Sequence, residues 1–171
     1  MKTLWLLRHA KASPGADGQA DRDRPLNARG REAAERIGRY LAARGVRPDL
    51  VLCSPSLRTR ETIELVAGQL GPALAIEFEE ELYLASERTL REQIGQASDD
   101  LASLLLVGHN PGLEQLALAL AVRADAGALD RMREKFPTAA LAGFTAPAQR
   151  WRQFARGCEL VTFVTPKSIR S

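Results

Sequence analysis

The chain is poor in the residues that usually hold metals. Its 171 residues include two histidines and two cysteines. Cys53 and Cys158 lie far apart and share no metal-type spacing, so both read as reduced cysteines in or near the core. Two histidines rarely hold zinc without a carboxylate or cysteine to complete the set, so no metal and no cofactor are expected. No run of 18 apolar residues occurs, which excludes a membrane-spanning helix. The apolar stretch ending at Leu7 is too short for a secretory signal and runs straight into Arg8, so a cytoplasmic protein is expected. Aromatic residues make up only 5%. With no polybasic run and no interleaving of basic and aromatic residues, nucleic acid is not an expected partner. The Walker-type phosphate loop is also missing.

What the chain does have is a core and a modest positive balance. Hydrophobic residues make up 45%, and the length suits one domain spanning 1–171. The net charge is +3 with a sequence pI near 9.2, which points to a basic anion site rather than a polyanion-binding surface. Arginine outnumbers lysine 20 to 4, and arginine is the better planar, bidentate partner for phosphate.

Strand and helix patterns alternate along the sequence. Apolar runs at 2–7, 50–53, 73–78 and 103–107 read as buried strands, and 139–145 and 160–165 are also strand-like. Between them, 27–44 reads as a helix with Asn27 as N-cap, a stripe of Ala34, Ile37 and Leu41, and Gly45 at its end. Ser54 is expected to cap a second helix opened by Pro55 and striped by Ile63, Val66 and Leu70. Ser86 precedes a third, carrying Leu90, Ile94 and Ala97. Asn110 is expected to cap, and Pro111 to open, a fourth with Leu113, Leu116, Ala117 and Leu120. Such alternation predicts an α/β fold: a three-layer sandwich with a mostly parallel central sheet flanked by helices.

Both histidines follow apolar strands. Arg8 and His9 end the first run, and His109 follows Gly108 after the run at 103–107. In open parallel sheets ligands bind at the carboxyl ends of the strands, so both imidazoles belong at one sheet edge. Arg58 lies in the first turn of the second helix, and helical side chains lean toward the N-terminus, which brings Arg58 to the same edge. The helix after His109 offers its N-terminal amides there too. Two arginines, two imidazoles and a helix N-terminus form a site for a dianion, with a phosphoryl group as the expected ligand.

These residues carry a family resemblance. Leu7-Arg8-His9-Ala10 resembles the Arg-His-Gly signature of the histidine phosphatase superfamily, with its phosphoglycerate mutase-like fold. Ser54-Pro55-Ser56-Leu57-Arg58 with Glu61-Thr62 resembles its Ser-Pro-x-x-Arg-x-x-x-Thr block, and Val107 to Pro111 its second histidine block. Arg24-Pro25-Leu26-Asn27, Glu81-Leu82-Tyr83 and Phe136-Pro137-Thr138 are similar to the SixA branch, the phosphohistidine phosphatases. The likeness covers nearly the whole chain in order and spacing.

The resemblance implies that His9 is the nucleophile and forms a phosphohistidine intermediate. It implies that Arg8, Arg58 and His109 hold the phosphoryl oxygens, with Arg24 and Asn110 as further substrate contacts. The chemistry agrees: imidazole attacks when neutral, adjacent arginines disfavour its protonation, and cations stabilise the transferring group. A bound dianion would favour a cationic His109. Asp21 and Asp23 are placed to orient Arg24 or Arg8. Ala10 stands where the superfamily often has glycine. Glu81 is the candidate proton donor, although it lies before the usual acid position. An imidazole leaving group needs such an acid less than an alkoxide does. The expected partner is therefore a phosphorylated substrate, a phosphohistidine protein before a simple phosphate ester.

Overall fold

The computed structural model describes residues 1–169. Seven strands form one sheet: β1 (Lys2–Arg8), β2 (Leu50–Cys53), β3 (Ile76–Phe78), β4 (Ser103–Gly108), β5 (Ala121–Ala124), β6 (Leu141–Ala146) and β7 (Cys158–Val164). Their order across the sheet is β3-β2-β4-β1-β6-β7-β5. β6 runs antiparallel to β1 and β7, and the remaining neighbours pair in parallel. Six helices complete the fold: α1 (Ala28–Ala43), α2 (Leu57–Leu70), α3 (Glu87–Gly95), α4 (Gly112–Leu120), α5 (Ala126–Glu134) and α6 (Trp151–Phe154). This is the expected mostly parallel α/β sandwich.

The central strands are apolar throughout because both of their faces are covered. Trp5 and Leu7 of β1 pack with Ile37 and Leu41 of α1 and with Ile63 and Val66 of α2. Leu4 and Leu6 face the other way, into a core with Leu90 of α3, Leu116 of α4, Met132 of α5 and Trp151 of α6. Leu4 and Leu6 are completely buried, and each such side chain stabilises the fold by roughly 1.5–3 kcal/mol.

Asn27 caps α1 as expected, its side chain accepting from the Gly30 amide at 2.8 Å. Gly30 and Gly38, poor helix formers, are used for close packing. A Cβ on Gly30 would sit 2.1 Å from the Lys11 carbonyl oxygen, and one on Gly38 would meet Gln69 and Val66 of α2.

Several boundaries differ from expectation. Ser56 rather than Ser54 caps α2, taking the Thr59 amide, because Ser54 is committed elsewhere. α4 starts at Gly112, one residue beyond Pro111, and Asn110 does not occupy its N-cap position. α3 stops at Gly95, short of Ala97. β3 begins at Ile76 rather than Ala73, since Gly71 and Pro72 hold the chain in a turn before it. β5 and α5 carry little hydrophobic signal. β5 is a half-exposed edge strand, and α5 buries only Ala128 and Met132.

Candidate active site

Sheet register brings the two histidines together. β1 and β4 are parallel neighbours, with Arg8 paired to Gly108. The next residue on each strand is a histidine, and the His9 amide donates to the Gly108 carbonyl at 3.1 Å. The rings stand 5.3 Å apart, centroid to centroid, and both side chains are buried.

Each imidazole has its tautomer set by a partner that plays one role only. His9 Nδ1 lies 2.7 Å from the Ala10 carbonyl oxygen. A carbonyl can only accept, so Nδ1 carries the proton and Nε2 keeps its lone pair. His109 Nδ1 lies 3.4 Å from an Arg58 guanidinium nitrogen, which can only donate. Nδ1 is therefore the acceptor, and Nε2–H donates to Ser54 Oγ at 2.8 Å. That bond is the other commitment of Ser54, which is fully buried.

Electrostatics favour the same neutral forms. Burial, reinforced by Arg58, Arg8 and Arg24, pushes the His9 pKa down to about 4. Burial, then His9 and Arg58, pushes His109 down to about 3. The sequence reading anticipated a cationic His109 once a dianion binds. In the free site His109 is neutral, because the Asp21 carboxylate only partly offsets burial, His9 and the nearby guanidinium groups.

Arg58 is buried at the start of α2. It donates to the Asp21 carbonyl at 2.8 Å and to Asp21 Oδ2 at 3.0 Å. Arg24 reaches Asp21 Oδ1 at 3.0 Å and the Ser13 carbonyl at 2.8 Å. The Tyr83 hydroxyl donates to Asp21 Oδ2, and its ring meets His109 edge-on at 5.5 Å. Asp21 thus joins two arginines and a tyrosine. The Tyr83 hydrogen bond, followed by those of Arg24 and Arg58, holds its carboxyl well below the usual range. Asp21 orients Arg24 and Arg58, while Arg8 is held elsewhere. Arg8 donates to the Phe136 carbonyl at 3.1 Å. Its buried Nε has no hydrogen-bond partner among the described residues.

Two sequence candidates fall outside this arrangement. Asn110 spends its amide on structure: Nδ2 donates to the Phe136 carbonyl at 3.0 Å, and Oδ1 accepts from the Glu114 amide at 3.2 Å. It fastens the His109 turn to the same carbonyl that fixes Arg8. Glu81 is not brought to the histidines. It sits exposed on a short 3-10 turn, Glu80–Leu82, in a shallow groove with Glu77 and Glu79. Leu82 plugs the core between the two positions, so Tyr83 rather than Glu81 reaches the site.

Thr62 is a positioning residue whose part the sequence reading missed. Its hydroxyl donates to the Arg58 carbonyl at 2.7 Å and accepts from the Ala10 amide at 3.0 Å. The Ala10 carbonyl in turn holds His9 Nδ1. Arg58 and Thr62 are four apart and share one helix face, a spacing that could have signalled the link.

This architecture is that of the phosphoglycerate mutase-like α/β fold. Residues 4–83 match the model of the histidine phosphatase superfamily, branch 1. The computed fold superimposes on a candidate phosphohistidine phosphatase SixA from Agrobacterium tumefaciens with a TM-score of 0.82. The two are 32% identical, over 96% of this chain and 98% of that one. The chain belongs to the histidine phosphatase superfamily. Within it, the uncharacterized protein Rv1276c of Mycobacterium tuberculosis is 38% identical, over 94% of this chain and all of its own length. Phosphohistidine phosphatase SixA of Escherichia coli is 29% identical over 63% of this chain and 67% of its own. Among the described residues no helix is long and apolar enough to cross a membrane.

Proposed function

We propose that this phosphatase removes phosphoryl groups from phosphohistidine on another protein, through a covalent phosphohistidine on His9. The observation that carries the reading is the His9–Ala10 hydrogen bond. It leaves Nε2 unprotonated beside Arg8, Arg58 and His109. The Nε2 lone pair attacks phosphorus as the bond to the leaving group breaks, and the leaving imidazole takes its proton from solvent. Water then attacks the phosphoryl group on His9, releasing phosphate and restoring neutral Nε2. Arg8 and Arg58 hold the oxygens during both steps, and Arg24 adds positive charge at the rim. An arriving dianion draws a proton onto His109 Nδ1, turning an acceptor into a donor.

The leaving group follows from the missing acid. Asp21 is held ionised by its three partners, and Glu81 lies outside the site. A phosphoramidate, whose imidazole departs neutral once protonated, suits such a site better than an alkyl ester. The name of the Escherichia coli relative fits the same substrate class, and a cytoplasmic setting suits it.

The test is to mix the protein with a phosphohistidine peptide and, in parallel, an aryl phosphate, then quench in denaturant. A phosphoryl group trapped at His9, stable to base and labile to acid, is expected. So is a kcat/KM at least tenfold higher on the peptide. No label on His9, or full turnover by His9→Ala, would refute the covalent step. Equal efficiency on both substrates would make the protein a broad phosphomonoesterase.

A further inference from the structure

A groove of about 700 Å³ lies beside the histidine pair rather than over it. One wall carries Lys11, two residues beyond His9. The other carries Thr138, next to Ala139, whose amide hydrogen-bonds the carbonyls of both Arg8 and His9. Its rim is basic: Lys11, Arg29, Arg36, Arg131, Lys135 and Lys167 line it against two carboxylates, Glu32 and Glu134. That surplus of four exceeds the net +3 of the entire chain.

The composition of this rim is unlike the rest of the surface. The chain has four lysines. Lys2 is buried, its ammonium donating to the carbonyls of Asp99 and Leu101. The other three all line this groove. Elsewhere cations and carboxylates are interspersed, with pairs such as Arg22–Glu80, Arg39–Glu35 and Arg88–Glu92 beside single arginines that form no ion pair among the described residues. In the groove Arg36 reaches Glu32, and the other five cations form no ion pair among the described residues. Unpaired charges of one sign lining a concave wall focus the field and raise the local concentration of an oppositely charged partner.

Resting on the phosphohistidine reading, we propose that this groove receives an acidic segment of the phosphoprotein and presents its phosphorylated side chain to His9. The floor of Ala33, Pro137 and Pro166 suits a polypeptide's side chains. The one aromatic in it, Phe163, is buried, so there is no platform on which bases could stack. A single phosphate needs only the site at Arg8 and Arg58, whereas a groove of this size and charge matches several carboxylates in a row.

The test uses two synthetic peptides with one phosphohistidine each, flanked by glutamates in one and by glutamines in the other, and phosphoramidate as a small reference. The wild-type protein is expected to favour the glutamate peptide about tenfold in kcat/KM at low ionic strength, mainly through KM. About 0.5 M salt erases that preference. Arg131→Glu with Lys167→Glu is expected to abolish or invert it without changing phosphoramidate turnover. The neutral pair Arg131→Gln with Lys167→Gln gives an intermediate value. A preference that survives both pairs, or an equal loss on all three substrates, overturns the proposal. An RNA oligomer bound through these residues while the peptide ratio stays unchanged would assign the groove to nucleic acid instead. Should neither peptide be turned over while an aryl phosphate is, the phosphohistidine reading fails and the groove proposal falls with it. Turnover of both peptides at the same rate removes the groove proposal alone.

Discussion

Acidification should unfold this protein earlier than its carboxylates alone require, because it buries two neutral imidazoles. The ordinary histidine pKa is 6.5, and the folded values are about 4 for His9 and about 3 for His109. A group whose folded pKa lies below its unfolded value has no effect on stability above pH 6.5. As pH falls below 6.5 the unfolded chain takes up protons that the folded chain refuses, so stability is lost down to the folded pKa. At about pH 4.5, linkage puts the loss at roughly 2.5 kcal/mol for His9 and a similar amount for His109, about 5 kcal/mol together. That is comparable with the whole stability of many domains, roughly 5–15 kcal/mol. Asp21 acts in the opposite sense and in another window. Its carboxyl is held below the ordinary 3.8, so the stability it contributes persists through pH 4.5 and is lost only below that. The assay is urea unfolding at pH 7 and pH 4.5, for wild type and for His9→Gln with His109→Gln. The double variant should lose less than half of what the wild type loses. Equal losses would refute the assignment of two buried neutral histidines.

Other outcomes follow from the geometry. Asp21→Ala leaves Arg58 and Tyr83 without a shared partner, a loss of about 1–3 kcal/mol of positioning, so kcat/KM should fall roughly ten- to hundredfold; Tyr83→Phe, measured on the same substrate, should fall less. Gly30→Ala forces a Cβ against the Lys11 carbonyl and should cost about 1–3 kcal/mol. A thermal melt should then show Tm lower by about 2–4 °C for each kcal/mol. Turnover should persist unchanged in EDTA, since no group of three metal-ligating side chains forms among the described residues; inactivation that added metal reverses would overturn the mechanism.

The features legible in the sequence are those set by short-range pattern. β1 and β4 announce themselves as apolar runs, and the histidine after each inherits its place from strand pairing. Arg58 was legible because a first-turn side chain leans toward the strand end. Asp21 was half legible: its loop position suggested an orienting role, but its partners depend on how residues 13–24 fold over α2. Tyr83 was harder, since it and Glu81 flank the same buried leucine and only the turn decides which of them faces His109. The Ser54-Pro55-Ser56 stretch offers two possible caps, and the choice depends on His109, 55 residues away. β5 and α5 were hidden because a short edge strand and a helix with two buried residues leave almost no periodic signal.

The paired ends of β1 and β4 separate what can change from what cannot. The two imidazoles are kept at their spacing by a hydrogen-bonded ladder through the middle of the protein, and the loops that follow the strands contribute little to that distance. Lengthening or recharging those loops changes which molecule arrives and leaves the reacting atoms where they are. A one-residue slip between β1 and β4, by contrast, would turn every core side chain of a strand toward the wrong layer and part the histidines in the same move. Register errors that would part the histidines therefore also spoil folding, and a chain with β1 and β4 correctly paired arrives with its histidines aligned.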